Sequence, residues 1–268
     1  MIQDSSMRTI GVSDMVGYLF SGLSLALSKE LRLFVIIPIL INIVVLCLGG
    51  WLVVHFISAW LNEYLLLLPE WLSFLHWIVA IVLHLTVGFV FIYFFSTIAT
   101  IIASPFYGLL AERTENLLRG ASLPAEEGNF LVNVIKDIPR IIKRELQKQC
   151  FYIPRLIVCL LIAIIPVVNV VFPVVNVVFP FLWFLLSAWM LTIQYVDYAY
   201  DNHKISFANM RHDLALYRLP SFGMGAVIYL LMLVPILNLI IPPAAVCAGT
   251  KYYVEMDKRY TINTTSGR

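Results

Sequence analysis

The chain has 268 residues, of which 61% are hydrophobic and 13% are charged. An average soluble domain is roughly 45–50% apolar and about 25% charged, so a soluble fold of this size could not bury the excess. The 18 basic and 16 acidic residues leave a net charge of +2. This balance excludes a nucleic-acid-binding protein, which concentrates positive charge on a soluble face. The composition therefore predicts an integral membrane protein.

The apolar residues are arranged in four long runs that contain no Asp, Glu, Lys or Arg. The runs are 30, 41, 41 and 32 residues long and cover residues 33–62, 71–111, 156–196 and 219–250. About 20 apolar residues span a bilayer as a helix, so each run is long enough to cross at least once. We therefore expect an all-α integral membrane protein with a single membrane domain over residues 1–268.

Two helical elements of different length come first. Residues 10–30 contain a charge-free stretch of only 14 residues with apolar side chains near helical spacing, which predicts an interfacial helix. Residues 31–62 predict a full transmembrane helix with Trp51 and Trp60 as interfacial anchors. After a loop without Lys or Arg, residues 71–114 predict a second long transmembrane helix, which exceeds the bilayer thickness and is tilted or projects from it.

Residues 130–150 predict an amphipathic helix. Basic side chains occupy one side of it and apolar side chains recur at helical period on the other, which is typical of a helix that lies on an anionic leaflet. The alternative is a helix packed on its own protein. The basic residues are Lys136, Arg140, Lys143, Arg144 and Lys148, and the apolar residues are Leu131, Val134, Ile135, Ile138, Ile141, Ile142 and Leu146.

The last two apolar runs share the pattern Pro-x-x-Asn-x-x-x-Pro, at residues 166–173 and 235–242. The apolar segments before it would form helices of roughly 14–20 Å, well short of a hydrocarbon core of about 30 Å. We therefore predict two partly inserted, re-entrant helical hairpins, at residues 154–198 and 219–252. The alternative is a pair of spanning hairpins kinked at proline. The predicted hairpin tips are Pro166, Asn169, Pro235 and Asn238.

The distribution of basic residues predicts the orientation. Because cytoplasmic loops carry more Lys and Arg, we expect both termini and residues 112–155 and 197–218 to face the cytoplasm. The heptapeptide VVNVVFP stands at residues 167–173 and again at 174–180. This duplication lengthens the tip of the first hairpin.

No motif for catalysis, nucleotide binding or metal binding occurs in the chain. The sequence therefore predicts no enzyme activity, no cofactor and no metal site. The apolar spans also lack the buried Asp or Glu that proton-coupled transporters commonly use. Passive conduction and a coupling without such a residue both remain open.

A candidate anion site lies directly before the first long helix. Lys29 and Arg32 coincide there with backbone N–H groups at the positive end of the helix dipole, around Leu31 and Leu33. Arg also offers a planar fork that matches a tetrahedral oxyanion. The alternative is a pair of cations that mark the membrane boundary.

A second candidate set lies at the cytoplasmic ends of the apolar runs. Charges of both signs there could pair and form a polar vestibule, because an unpaired charge near hydrocarbon is costly. The alternative is that these residues only mark where the helices meet water. The candidates are Glu112, Arg113, Arg155, Asp197 and Asp201.

Several segments resemble the CysZ family of bacterial sulfate permeases. The most specific is AWMLTIQYVDYAYDNHKISF at residues 188–207. Others stand at residues 31–42, 103–112, 137–148, 222–223 and 234–250, and at Tyr252. The resemblance implies an inner-membrane protein that admits sulfate for cysteine biosynthesis. It also implies two long transmembrane helices, two partly inserted hairpins and a homo-oligomer, in which antiparallel protomers have been considered.

The resemblance also implies a sulfate site at a Gly-Leu/Ile-Arg motif, often followed by a second Arg. Leu31 and Arg32 match the motif, but Glu30 stands in place of Gly and Leu33 in place of the second Arg. A carboxylate beside a dianion is unfavourable, so Glu30 is expected to point away or to pair with Lys29.

The leading hypothesis is therefore a sulfate channel or transporter of the bacterial inner membrane, without ATP hydrolysis of its own. Its expected partners are sulfate, the lipid bilayer and further copies of the chain, with no nucleic acid. The alternative is a non-transporting membrane scaffold or partner-binding protein. The sequence leaves open the selectivity among oxyanions and the number of protomers.

Overall fold

The computed structural model describes residues 11–65, 73–121, 130–164, 174–234 and 237–266. The regular structure in these ranges is entirely helical. The helices are α1 (Val12–Ala26), α2 (Arg32–Leu65), α3 (Ser73–Arg119), α4 (Phe130–Ile164), α5 (Val174–Asn202), α6 (Phe207–Leu216), α7 (Arg218–Met232) and α8 (Ile241–Ser266), with a short 3₁₀ helix at Leu237–Leu239.

The all-α membrane fold is confirmed. In the described ranges, two segments are long and apolar enough to cross a membrane, Arg32–Leu52 in α2 and Val178–Asn202 in α5. Helices α6 and α7 form a pair bent by 102°, which adds a third span only if the pair is one broken span. Such a bend occurs both in re-entrant loops and in broken membrane-spanning helices, so it does not distinguish the two.

Two predicted elements are joined in the structure. The amphipathic helix and the first arm of the first hairpin form one helix of 35 residues, α4, which continues through Pro139 and Pro154. Proline removes a backbone donor, and the Arg155 side chain donates a hydrogen bond to the Phe151 carbonyl in the turn that contains Pro154. The second predicted transmembrane segment, residues 71–114, overlaps α3 from Ser73 onwards, and α3 has 47 residues.

The described helices divide into two compact units. One contains residues 36–104. In this unit α2 contacts α3 at Gly49, where an added Cβ would lie 3.5 Å from the Phe91 ring. The other contains the described parts of residues 1–35 and 105–268, and it holds every structurally described residue that is a candidate for anion handling.

The core of the second unit is built around α5, which packs against α4, α7 and α8, while α1 packs on α7 and α8. Small residues allow the closest contacts, as is common where membrane helices pack. A Cβ added at Gly225 of α7 would lie 1.7 Å from the Ala188 carbonyl oxygen of α5. A Cβ added at Gly22 of α1 would lie 2.4 Å from the Ala244 carbonyl oxygen of α8. Glycine is therefore required at both crossings.

Buried hydroxyl groups join three of these helices. Thr192 of α5 donates to the Ser221 carbonyl oxygen of α7 at 2.5 Å. The Ser221 hydroxyl lies 3.0 Å from the Tyr252 hydroxyl of α8. All three residues are fully buried, and each polar group has a partner, so the burial costs little.

Candidate functional site

The most extensive polar arrangement is a set of ion pairs between α4 and α5, here called the charge ladder. Arg140, Arg144 and Lys148 stand four residues apart, which places them on one face of α4. Asp197 and Asp201 are likewise four residues apart on α5. The two faces meet, so each carboxylate contacts more than one cation.

Asp197 is at the centre of the ladder. Arg144 Nε lies 2.9 Å from Asp197 Oδ1, and Arg144 Nη2 lies 2.6 Å from the same oxygen. Lys148 Nζ lies 3.3 Å from Asp197 Oδ2 and 2.6 Å from Glu145 Oε1. One carboxylate thus neutralises a guanidinium group and shares an ammonium group with Glu145.

Asp201 continues the ladder one turn later. Its carboxylate is hydrogen-bonded to Arg140 Nη1, which also donates to the Asp201 backbone carbonyl at 3.0 Å. Arg140 Nη2 lies 3.2 Å from Asp137 Oδ2 at the exposed end. Arg144 Nε is 4.0 Å from Asp201 Oδ1, so the two rungs are also linked to each other.

The centre of the ladder is buried. Asp197 is 0% exposed, Lys148 2% and Arg144 8%. Burial alone lowers the pKa of the Lys148 ammonium, but the carboxylates of Glu145 and Asp197 outweigh it and raise the pKa above its ordinary value. The pKa of Arg140 is also raised, because Asp137 and Asp201 outweigh the effect of burial. The cations of the ladder are therefore charged and neutralised by neighbouring carboxylates.

The ladder corrects the interpretation of α4 as a helix whose basic face lies on a leaflet. Arg144 and Lys148 face α5, whereas the apolar residues Ile138, Ile142 and Leu146 are exposed. The physical reason is the pair of carboxylates on α5, which would be costly near hydrocarbon without cations. The packed alternative is the correct one for Arg140, Arg144 and Lys148, while Lys136 and Lys143 are exposed.

Residues Lys29 to Leu33 form the turn before α2, here called the basic turn. Two of its backbone N–H groups, which were expected to be available to an anion, are used within the protein. The N–H groups of Leu31 and Arg32 donate to the Ser28 carbonyl at 3.2 and 2.9 Å. Leu31 is fully buried, whereas Lys29, Arg32 and Leu33 are exposed. The side chains of Lys29 and Arg32, more than these amides, are therefore the groups available to an anion.

Glu30 is exposed and does not pair with Lys29. Among the described residues, none forms an ion pair with Lys29, Glu30 or Arg32. The two cations of the basic turn therefore remain open to solvent and to a solvent-borne anion.

The five vestibule candidates fall into three groups. Asp197 and Asp201 belong to the charge ladder. The guanidinium carbon of Arg113 lies 4.4 Å from the centroid of the Phe34 ring, in the first turn of α2, and Glu112 is exposed beside it. The guanidinium carbon of Arg155 lies 3.5 Å from the centroid of the Phe151 ring.

The predicted hairpin tips are described only in part. Pro166, Asn169 and Pro235 lie outside the described residues. Asn238 lies in the 3₁₀ helix Leu237–Leu239, is exposed, and donates its backbone N–H to the Val234 carbonyl at 3.1 Å.

A second polar cluster was not anticipated from the sequence. His203 Nε2 lies 2.9 and 3.0 Å from the two carboxylate oxygens of Glu115 on α3. Arg119 bridges Glu115 and Asp257, at 2.8 and 2.7 Å, and Asn202 donates to the Gly108 carbonyl at 2.8 Å. The polar residues at the end of α5 thus fasten it to α3 and, through Arg119, to α8.

The comparisons with known proteins agree with the resemblance. The family described as "Sulfate transporter CysZ/Etoposide-induced protein 2.4" matches residues 18–243. The chain belongs to this family. The protein named "Sulfate transporter CysZ" from Pectobacterium atrosepticum is 43% identical over 240 residues, which cover 90% of this chain and 84% of the relative.

Two further relatives carry the same name. The protein from Vibrio atlanticus is 42% identical over 89% of this chain and 91% of its own length. The protein from Salmonella typhimurium is 41% identical over 90% of this chain and 91% of its own length. The similarity therefore includes the basic turn, the charge ladder and the end of α5, and it identifies a member of a transporter family rather than an enzyme.

Proposed function

We propose that this protein transports sulfate across the inner membrane of a bacterium, for assimilation into cysteine. The observation that carries the proposal is identity of 41–43% to proteins named as sulfate transporters over about nine tenths of the chain. The match extends through both polar regions of the second unit, so it includes the residues that would handle an anion.

The basic turn is the proposed sulfate site. Arg32 supplies a forked donor and Lys29 a second positive charge, and neither is neutralised by a carboxylate of the described residues. Sulfate is a tetrahedral dianion whose oxygens can accept paired hydrogen bonds from a guanidinium group. Exposure keeps the binding moderate, which suits a site that must also release its ion.

The membrane potential limits a passive mechanism. Moving a dianion inward against about 100 mV, inside negative, costs roughly 4.6 kcal/mol. At about 1.4 kcal/mol per decade this corresponds to a concentration ratio of roughly 2,000. A passive pore would therefore deliver sulfate only while assimilation keeps the free cytoplasmic concentration very low.

The two hairpins are proposed to enter the membrane from the cytoplasmic side without crossing it, although Val178–Asn202 in the first hairpin is by length and composition able to cross. The length of α7, the first arm of the second hairpin, supports this arrangement, because its 15 residues reach only about 22 Å, short of a hydrocarbon core of about 30 Å. The test uses Asn169→Cys and Asn238→Cys in a background without Cys47 and Cys150, the exposed native cysteines. A membrane-impermeant thiol reagent should leave both positions unlabelled from outside; full external labelling would favour spanning helices.

The proposed assembly is a homo-oligomer, which light scattering on the detergent-solubilised protein measures directly. A mass that corresponds to one chain would remove this part of the proposal.

Transport is tested with purified protein in phospholipid vesicles and radiolabelled sulfate outside. Vesicles with the protein should accumulate label in proportion to the inward sulfate gradient, and protein-free vesicles prepared identically give the background. Uptake equal to the background, from protein that remains folded and monodisperse, would favour a membrane scaffold instead.

A further inference from the structure

Two arginines from different helices meet on one aromatic ring at the boundary of the third apolar run. The guanidinium carbon of Arg155, on α4, lies 3.5 Å from the centroid of the Phe151 ring. The guanidinium carbon of Arg211, on α6, lies 4.5 Å from the same centroid and 4.9 Å from that of Phe207. The two rings are in edge-to-face contact at 5.9 Å. The two guanidinium carbons, here called the arginine pair, are therefore no more than 8.0 Å apart.

The arginine pair differs from the charge ladder in having no counter-ion. Among the described residues, neither Arg155 nor Arg211 forms an ion pair. Arg211 Nε is buried and donates no hydrogen bond within the described protein. Interaction with an aromatic face compensates a guanidinium only partly, so two like charges on one ring favour an anion beside them.

The neighbouring carboxylates are already engaged. Asp197 is held by Arg144 and Lys148, and Asp201 by Arg140. Asp213, two residues after Arg211, interacts with Tyr200 and with His212. None of these three groups can neutralise the arginine pair without giving up its own partner.

The surroundings indicate what kind of anion the pair accepts. Arg155 is exposed and Arg211 half-buried, so the site is accessible. Arg155 is the last charged residue before the apolar run 156–196. Val158 and Leu161, which follow it at intervals of three residues along α4, are 58% and 52% exposed. A cationic group at a membrane boundary beside exposed apolar side chains fits a phosphate head group with its acyl chains.

We propose that Arg155 and Arg211 form a binding site for a tetrahedral oxyanion group, supplied by the phosphate of an anionic phospholipid that lies along Val158 and Leu161. The site uses residues other than those of the proposed sulfate site. It would fix the cytoplasmic end of the first hairpin to the lipid leaflet.

The experiment measures binding of dioleoyl phosphatidylglycerol to the detergent-solubilised full chain by native mass spectrometry, with dioleoyl phosphatidylcholine for comparison. The double variant Arg155→Gln/Arg211→Gln should bind phosphatidylglycerol at least tenfold more weakly than the parent. The matched control Lys143→Gln/Arg218→Gln removes two exposed cations that also lack ion pairs among the described residues. The control should stay within threefold of the parent. Equal affinities for the parent and both variants, or equal losses in both variants, would overturn the proposal.

Two single variants separate a loss of lipid binding from a loss of folding. Phe151→Leu retains both charges but removes the shared ring, and it should weaken phosphatidylglycerol binding severalfold. Arg155→Gln alone changes an exposed side chain, and it should show a loss even if the double variant does not fold. Circular dichroism and size-exclusion elution identify the folded variants.

Sodium sulfate without lipid distinguishes the source of the oxyanion. If thermal stabilisation by millimolar sulfate depends on the arginine pair while phosphatidylglycerol binding does not, the lipid assignment is overturned and the free anion is the ligand. If phosphatidylglycerol binding depends on the pair and sulfate competes with it, the lipid phosphate is confirmed as the ligand.

Discussion

The charge ladder and the basic turn both contain clustered cations in the same unit of the protein, but the cations differ in burial and in ion pairing. In the ladder, Arg144 and Lys148 are buried and share the carboxylate of Asp197. In the basic turn, Lys29 and Arg32 are exposed and no carboxylate of the described residues pairs with them. A cation of the ladder must give up a buried ion pair before it can bind sulfate, whereas a cation of the turn exchanges only water.

The comparison assigns different roles to residues of the same chemical type. Arginines that face carboxylates inside the protein stabilise the packing of α4 on α5. Arginines without such partners are the ones available to an external anion. We therefore expect changes in the ladder to lower stability first, and changes in the basic turn to lower sulfate affinity without a loss of stability.

The largest expected effect comes from Asp197→Asn. This variant leaves Arg144 and Lys148 buried with a neutral partner, and breaking a buried ion pair costs about 3–5 kcal/mol. Thermal unfolding in detergent should show a marked drop in the midpoint. The control is Asp257→Asn, which removes a pair with Arg119 in which both side chains are at least a third exposed. Such a pair contributes about 0–1 kcal/mol. Equal drops in the unfolding midpoint of the two variants would show that burial does not make the Asp197 ion pairs more important for stability.

The next effect is on sulfate affinity in Arg32→Ala. Loss of a charge-assisted hydrogen bond costs about 1.5–3 kcal/mol, which corresponds to roughly tenfold to a hundredfold weaker binding. Calorimetry with sodium sulfate measures the change, and the unfolding midpoint should be that of the parent. Lys258→Ala, which removes an exposed cation at the far end of the chain, serves as the control and should bind sulfate normally.

A smaller effect is expected for Arg113→Ala. Arg113 is half-buried over the Phe34 ring, in the first turn of α2, and an exposed cation–π contact contributes about 0.5–1 kcal/mol. Sulfate flux into vesicles should fall about two- to fivefold. A flux equal to that of the parent would leave Glu112 and Arg113 as markers of the helix boundary rather than parts of a vestibule.

The smallest effect is expected for Glu30→Gln. Glu30 is exposed and lies two residues from Arg32, and interactions between exposed charges amount to about 0–1 kcal/mol. Removing its negative charge should strengthen sulfate binding by no more than a fewfold, and the gain should shrink in high salt because salt screens exposed charges. Weaker binding in this variant would show that Glu30 positions a cation.

Much of the fold follows from the sequence because the charge-free runs are longer than a bilayer requires. The helices α2 and α3 lie where these runs predict them, and the all-α class follows from the same feature. The continuity of α4 through Pro154 does not follow, because proline normally ends or kinks a helix.

The candidate site was predictable only in part. Asp197 and Asp201 stand out because they follow directly after a long apolar run, but their partners lie more than 50 residues away in the sequence. One signal was present: Arg140, Arg144 and Lys148 repeat at four residues, as do Asp197 and Asp201. Matching the two repeats would have predicted the ladder. The approach of Arg211 to the Phe151 ring, which Arg155 also contacts, depends on tertiary packing alone.

Sulfate is proposed to bind to the exposed cations of the basic turn rather than to the neutralised cations of the ladder. The decisive experiment replaces the ladder centre with apolar or neutral side chains, in the variant Arg144→Met/Glu145→Gln/Lys148→Met/Asp197→Leu. Replacing a whole buried ion network in this way is often neutral for stability. Radiolabelled sulfate binding by the folded variant should equal that of the parent, whereas Arg32→Ala should bind at least tenfold more weakly. Lost binding in the ladder variant together with normal binding in Arg32→Ala would place the sulfate site in the ladder instead.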